Sequence, residues 1–125
     1  MKTQKIYIID DSEYIALMLK KVLFDLDYVT LGISTKEDHA LDNVRRLKDE
    51  IDIITLDIYM GKTDGMSLIP KLLAINPKFK IVMVSSNRDE KTIIKCIQMG
   101  AKHYILKPFH MEDIRKIIQK ISQAP

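Results

Sequence analysis

The hydrophobic positions of this chain alternate between two spacings along its whole length. Short runs rich in Ile, Val and Tyr are each followed by stretches in which apolar residues recur three and four positions apart. Runs of the first kind predict β-strands, and the second spacing predicts helices that bury one face. The predicted strands are Lys5 to Ile9, Tyr28 to Ile33, Ile51 to Leu56, Lys80 to Val84 and His103 to Leu106. The chain therefore consists of five predicted strand–helix pairs.

These strands are mostly continuous apolar runs, which indicates burial on both faces. Because parallel crossovers are right-handed and place helices on both sides of a sheet, the five pairs predict an open, doubly wound α/β sheet of parallel strands. Two helix starts carry predicted side-chain caps with a reciprocal acid, Ser34 with Glu37 and Asn87 with Glu90. Gly100 predicts a helix end. A length of 125 residues predicts one domain, residues 1–125, with no room for a second.

Composition narrows the setting of this domain. The single cysteine, Cys96, excludes an intrachain disulfide and favours a reducing compartment, so a cytoplasmic protein is expected. No apolar run approaches the roughly 20 residues that a membrane span needs. The net charge of +3 is uneven, with −4 over residues 1–70 and +7 over residues 71–125. Lysines spread over several helices are typical of a solvated surface, so we expect no direct contact with nucleic acid.

Polar residues follow four of the five predicted strands. Asp10 and Asp11 follow the first strand, Asp57 the third, Ser85 and Ser86 the fourth, and Lys107 the fifth. In a doubly wound sheet the ligand site lies at the carboxyl ends of the strands, and strands one and three are neighbours in the order 2-1-3-4-5. Taken singly, each residue has an ordinary interpretation. Asp10 or Asp11 could cap the helix that begins near Ser12, and Lys107 could be a surface lysine. Their joint positions favour a single site.

Three carboxylates at one place need a cation, because like charges so placed cannot all stay ionised without one. Oxygen ligands with no thiolate or imidazole nearby favour a hard ion, and an incomplete carboxylate set suits Mg²⁺ better than Ca²⁺. Lys107 offers a mobile positive charge and Ser85 a hydroxyl donor for phosphoryl oxygens. A carboxylate can also act as a nucleophile and form an aspartyl phosphate. The sequence thus predicts phosphoryl chemistry with Mg²⁺.

Four segments resemble the receiver domain of bacterial response regulators, of the chemotaxis-receiver type. They are Asp10-Asp11, the stretch from Asp57 to Gly65, Val84-Ser85, and Tyr104 to Phe109. The resemblance covers nearly the whole chain. It implies a flavodoxin-like (βα)₅ fold with a five-stranded parallel sheet in the order 2-1-3-4-5. It also implies a phosphoprotein of a two-component or phosphorelay system.

By this resemblance Asp57 is the phosphoacceptor. Mg²⁺ would be held by Asp11, Asp57 and the backbone carbonyl of Tyr59, with Asp10 acting largely through metal-bound water. The phosphate would come from a phosphohistidine, on a histidine kinase or a histidine phosphotransfer protein, or from a small-molecule phosphodonor. Such a protein catalyses only its own phosphorylation and dephosphorylation, so it is not expected to be an enzyme in the usual sense.

The resemblance also implies a switch. Ser85 and Lys107 would bind the phosphoryl group, and the 22-residue interval between them selects Ser85 over Ser86. Tyr104 would move inward with Ser85 and alter the face made by helix four, strand five and helix five. That face would bind a downstream protein target, and a phosphorylation-dependent homodimer is a further expectation. Tyr59 and Asn87 would tune hydrolysis of the acyl phosphate, with the bulk of Tyr59 slowing it.

One departure from the family pattern lies beside the acceptor. The loop after Asp57 usually contains Met-Pro and here contains Met60-Gly61, which exchanges a restricted backbone for a permissive one. Two alternative functions stay open. The chain could be the receiver half of a DNA-binding response regulator, or an aspartate-nucleophile phosphatase. A phosphatase would be expected to carry its nucleophile after the first strand, with a second acid two residues on, whereas Asp10 and Asp11 are adjacent.

Overall fold

The predicted alternation of strands and helices forms one sheet with helices on both faces. The computed structural model describes residues 3–123, so the outermost two residues at each end of the predicted domain, 1–125, lie outside the described part. The strands are β1 (Lys5–Ile9), β2 (Val29–Ser34), β3 (Ile53–Leu56), β4 (Lys80–Ser85) and β5 (His103–Leu106). The helices are α1 (Glu13–Asp25), α2 (Glu37–Arg46), α3 (Leu68–Ile75), α4 (Glu90–Gln98) and α5 (Met111–Gln123).

All neighbouring strands of the sheet are parallel, and their order is β2-β1-β3-β4-β5. This confirms the doubly wound sheet predicted from the strand–helix pattern and the flavodoxin-like order that the resemblance implies. A two-residue antiparallel hairpin, Tyr59–Met60 with Thr63–Asp64, lies outside this sheet. Because β1 lies beside β3, the loops that follow these two strands open at the same edge of the sheet.

The apolar residues of the strands bury two separate cores, one on each face of the sheet. Helices α1 and α5 cover one face with residues such as Leu19 and Ile118. Helices α2, α3 and α4 cover the other with residues such as Val44, Leu72 and Cys96. Burial on both faces explains why the strands are continuous apolar runs. Among residues 3–123, no helix is long and apolar enough to span a membrane.

Two strands begin later than the sequence predicts. Tyr28 was expected to open β2, but its backbone amide donates to the carbonyl of Leu23 at 2.9 Å and so closes the turn that follows α1. Ile51 was expected to open β3, but its amide donates to the carbonyl of Leu47 at 3.1 Å. In both cases the amide is hydrogen-bonded to the end of the preceding helix or to its C-cap residue, Leu47, and not to a neighbouring strand.

Both predicted capping pairs are wrong. Ser34 lies inside β2, where its buried hydroxyl is hydrogen-bonded to the Tyr7 hydroxyl, and α2 begins after Lys36 without a side-chain cap. Asn87 lies three residues before the start of α4, and its side-chain oxygen accepts from the Asp89 amide at 2.9 Å. The prediction for Gly100 is confirmed, because α4 ends at Gln98 and Gly100 has a φ of +120°.

Candidate functional site

The loop after β1 presents two acids in different surroundings. Asp10 continues the strand, because its amide donates to the carbonyl of Ser34 at 3.1 Å, and only 3% of the residue is exposed. Asp11 is exposed. Helix α1 is capped by Ser12, whose hydroxyl accepts from the Ile15 amide at 3.2 Å. The two acids are therefore not needed as caps, and Asp10 instead accepts from the Ser12 amide at 2.9 Å.

Asp57 follows β3 directly and is also 3% exposed. Its amide donates to the carbonyl of Ile9 at 3.0 Å, which places it beside the end of β1. One oxygen of its carboxylate, Oδ1, accepts from the Tyr59 amide at 3.2 Å. The chain then turns back sharply, so that a Cβ added to Gly65 would lie 1.9 Å from the carbonyl oxygen of Asp57. Only glycine fits there, because any side chain would overlap the backbone of Asp57.

Lys107 joins the two buried acids. Its Nζ donates to Oδ2 of Asp10 at 2.8 Å and to Oδ2 of Asp57 at 3.0 Å. Its amide donates to the carbonyl of Ser85 at 2.9 Å, and the Lys107–Pro108 peptide is cis. Burial lowers the pKa of Lys107, but its hydrogen bonds with Asp10 and Asp57 outweigh burial and raise the pKa above its ordinary value. Lys107 is therefore cationic at neutral pH.

Asp10, Asp11 and Asp57 form a group of carboxylates that fits a metal ion. One oxygen from each lies within 4.8 Å of the others. Burial raises the pKa of Asp10, with Lys107 and the Ser12 amide offsetting part of the effect. The lysine supplies one positive charge against three acids, so the donor set still favours a further cation. All-oxygen ligands with one exposed member suit Mg²⁺, which retains several waters.

The two serines at the end of β4 differ in burial. Ser85 is fully buried and Ser86 is exposed. The Ser85 hydroxyl accepts from the Asn87 amide at 3.2 Å. The Tyr104 hydroxyl donates to the Asn87 carbonyl at 2.7 Å, and burial raises the pKa of this phenol. Ser85 and Tyr104, the predicted switch residues, thus contact the same residue, Asn87.

The backbone and the side chain of Tyr59 lie in different surroundings. Its amide contacts Asp57, whereas its side chain is 50% exposed. Sequence reasoning missed a second amide in the same hairpin, that of Gly61, which donates to Oδ2 of Asp11 at 3.3 Å. The only signal in the sequence was the departure from the usual Pro. The roles of Tyr59 and Asn87 in hydrolysis stay predictions.

Residues 6–119 match the response regulator receiver domain. The chemotaxis protein CheY of Thermotoga maritima is 30% identical over 120 residues, which cover 96% of this chain and 98% of that protein. The probable C4-dicarboxylate response regulator DctR of Bacillus subtilis is 28% identical over 123 residues, which cover 98% of this chain but 54% of DctR.

A solved structure supports the same fold. The crystal structure of the CheX-CheY-BeF3-Mg+2 complex from Borrelia burgdorferi superimposes with a TM-score of 0.92. The sequence identity is 22%, and the aligned region covers 97% of this chain and 90% of the matched chain. At this identity the likeness establishes the fold, and that complex contains Mg²⁺.

Proposed function

This chain belongs to the response regulator receiver family, and we propose that it accepts a phosphoryl group on the carboxylate of Asp57, with Mg²⁺. The observation that carries the proposal is Lys107, which contacts Asp10 and Asp57 at 2.8 Å and 3.0 Å beside the exposed Asp11. The Lys107 ammonium group, held between two nearly buried carboxylates, is placed where it can also bind the oxygens of a phosphoryl group on Asp57.

The donor is a phosphohistidine of a kinase or phosphotransfer protein, or a small-molecule phosphodonor. In the transfer, an oxygen of the Asp57 carboxylate forms the O–P bond while the N–P bond to the donor imidazole breaks. The released imidazole nitrogen keeps the electron pair and takes a proton from solvent. Because both oxygens of Asp57 are held, by Lys107 and by the Tyr59 amide, the nucleophile is fixed before the donor arrives.

Asp11 and Asp57, with the backbone carbonyl of Tyr59, would hold Mg²⁺, and Asp10 would act largely through metal-bound water. When bound, the ion neutralises negative charge on the carboxylates and phosphoryl oxygens. Lys107 gives up part of its contact with the acids and binds the incoming oxygens as a point charge. Ser85, at the end of the neighbouring strand β4, donates its hydroxyl to another oxygen.

The output surface is the face made by α4, β5 and α5. Tyr104 lies on β5, and its hydroxyl is bonded to the residue that also contacts Ser85, namely Asn87. A shift of the Ser85 hydroxyl toward phosphate would alter the Asn87 contacts and so change how Tyr104 is held. A protein target, or a second copy of the chain, would read that change. The chain acts as a cytoplasmic signalling switch rather than a turnover enzyme.

Intact-mass analysis tests the proposal. The protein is incubated with acetyl phosphate, with and without Mg²⁺, as the parent, as Asp57→Asn and as Asp42→Asn. Asp42 is a matched control, because it is an exposed acid of α2 away from the site. The proposal expects one added phosphoryl group in the parent and in Asp42→Asn, only with Mg²⁺, and none in Asp57→Asn. An adduct that persists in Asp57→Asn, or forms equally well without Mg²⁺, contradicts it.

A further inference from the structure

Each carboxylate of the acidic group is held by a backbone amide. Asp10 is held by Ser12 and Asp57 by Tyr59, each two residues further along the same loop. Asp11 is different, because its partner is the amide of Gly61, 50 positions away, at 3.3 Å. This bond links the loop after β1 to the hairpin after β3.

The bond needs a residue at position 61 that has an amide hydrogen and tolerates a positive φ. Gly61 has a φ of +66°, a conformation open to glycine and tolerated by asparagine. Proline, usual at this position in the family, has no amide hydrogen and a φ fixed near −65°. A Cβ added to Gly61 would meet nothing within 4 Å, so glycine is not needed there to avoid a clash. What it supplies is the backbone conformation and the donor.

We propose that Gly61 is a positioning residue, whose amide holds the exposed Asp11 carboxylate toward Asp10 and Asp57 before Mg²⁺ binds. Asp11 has one oxygen, Oδ2, on the amide, which leaves Oδ1 for the ion. An exposed side chain without such an anchor must be ordered when the metal arrives, and that ordering weakens binding. The inference rests on the proposed function, because it assumes that this site takes Mg²⁺.

The first test is Mg²⁺ affinity, measured by titration calorimetry on the parent, Gly61→Pro and Gly61→Asn. Proline removes the amide hydrogen, so the dissociation constant should rise about tenfold, the scale of one hydrogen bond to a charged group. Asparagine keeps the donor and tolerates the positive φ, so its dissociation constant should stay within about twofold of the parent. Melting curves without Mg²⁺ check that each variant is folded.

The second test observes the bond itself. The chain has four glycines, so ¹⁵N-glycine labelling gives a spectrum in which the Gly61 amide can be assigned. In Mg²⁺-free buffer, Asp11→Ala should shift the Gly61 resonance and speed its exchange with solvent, while the Gly100 resonance stays in place. If the hairpin had only a structural role, Asp11→Ala would leave the Gly61 resonance unchanged.

The outcomes separate the two proposals. Equal affinity in the parent and Gly61→Pro, or a loss in Gly61→Asn as large as in Gly61→Pro, overturns the positioning role and leaves the proposed function standing. A parent that binds no Mg²⁺ overturns both. If Gly61→Pro does not fold, the amide measurement decides, and an unchanged Gly61 resonance in Asp11→Ala overturns the positioning role.

Discussion

Replacing Lys107 by methionine removes the cation shared by two nearly buried acids and keeps most of the side-chain volume. The Lys107 side chain is 15% exposed, and those of Asp10 and Asp57 are 4% exposed. After the substitution the two carboxylates, with oxygens within 4.8 Å of each other, keep their backbone amide donors but have no cation between them. At an effective dielectric constant of about 20, repulsion at that distance amounts to roughly 3 kcal/mol.

Breaking a buried ion pair by removing one partner costs about 3–5 kcal/mol. Because Lys107 is partly exposed and water can reach it, we expect the lower end, a loss of about 3 kcal/mol in the free energy of unfolding at neutral pH without Mg²⁺. The loss should shrink as the pH falls. Without the lysine, the already raised pKa of Asp10 rises further. An acid with a raised folded-state pKa lowers stability progressively as the pH rises from its ordinary pKa to the raised one, and it has no such effect at lower pH.

Urea denaturation followed by circular dichroism measures this loss. Lys91→Met is the matched control, because Lys91 is an exposed lysine of α4, and its substitution should stay within about 0.5 kcal/mol of the parent. Adding Mg²⁺ should recover part of the loss in Lys107→Met, since a metal cation can replace the missing charge. A loss below about 1 kcal/mol, or one that grows as the pH falls, would refute the reasoning.

Three further predictions concern the same edge of the sheet. Gly65→Ala should cost about 2–3 kcal/mol in thermal unfolding, because its Cβ would lie 1.9 Å from a backbone carbonyl oxygen; an unchanged melting temperature would contradict this close approach. Tyr104→Phe should lower the free energy of unfolding by about 1 kcal/mol, because it removes the hydrogen bond to the Asn87 carbonyl. The parent should also lose stability as the pH rises past the ordinary tyrosine pKa, because the raised folded-state pKa favours the fold only while the unfolded phenol is neutral. Tyr104→Phe should lose less stability than the parent over that pH range. Equal losses in the two proteins would count against a buried, hydrogen-bonded phenol at position 104. Ser85→Ala should slow phosphorylation by acetyl phosphate about tenfold, as expected for one lost hydrogen bond to a charged group, while the exposed Ser86→Ala should not; the reverse ranking would assign the phosphoryl contact to Ser86.

Much of this architecture could be predicted because it depends on local patterns. Strand and helix alternation sets the parallel sheet, and the sheet order brings residues after β1, β3 and β5 to one edge. Given the strand order that the resemblance implies, Asp10, Asp57 and Lys107 could be grouped from their positions, and in the structure Lys107 lies within hydrogen-bonding distance of both acids.

The features that sequence reasoning missed depend on contacts between distant segments. Serine is a common helix-capping residue, but the Ser34 hydroxyl is instead hydrogen-bonded to the buried Tyr7 hydroxyl. The Gly61 amide reaches Asp11 across 50 positions, and Gly65 is required by a carbonyl that lies beside it in space. Such contacts follow from tertiary packing, which spacing along the chain does not encode.

The most direct test of the central claim locates the phosphoryl group chemically. After incubation with acetyl phosphate and Mg²⁺, borohydride reduces an aspartyl phosphate to homoserine, and peptide mass spectrometry identifies the altered position. The account predicts homoserine at position 57 and an unmodified Asp10, Asp11 and Asp64. Homoserine at any of those other acids, with Asp57 intact, would contradict it.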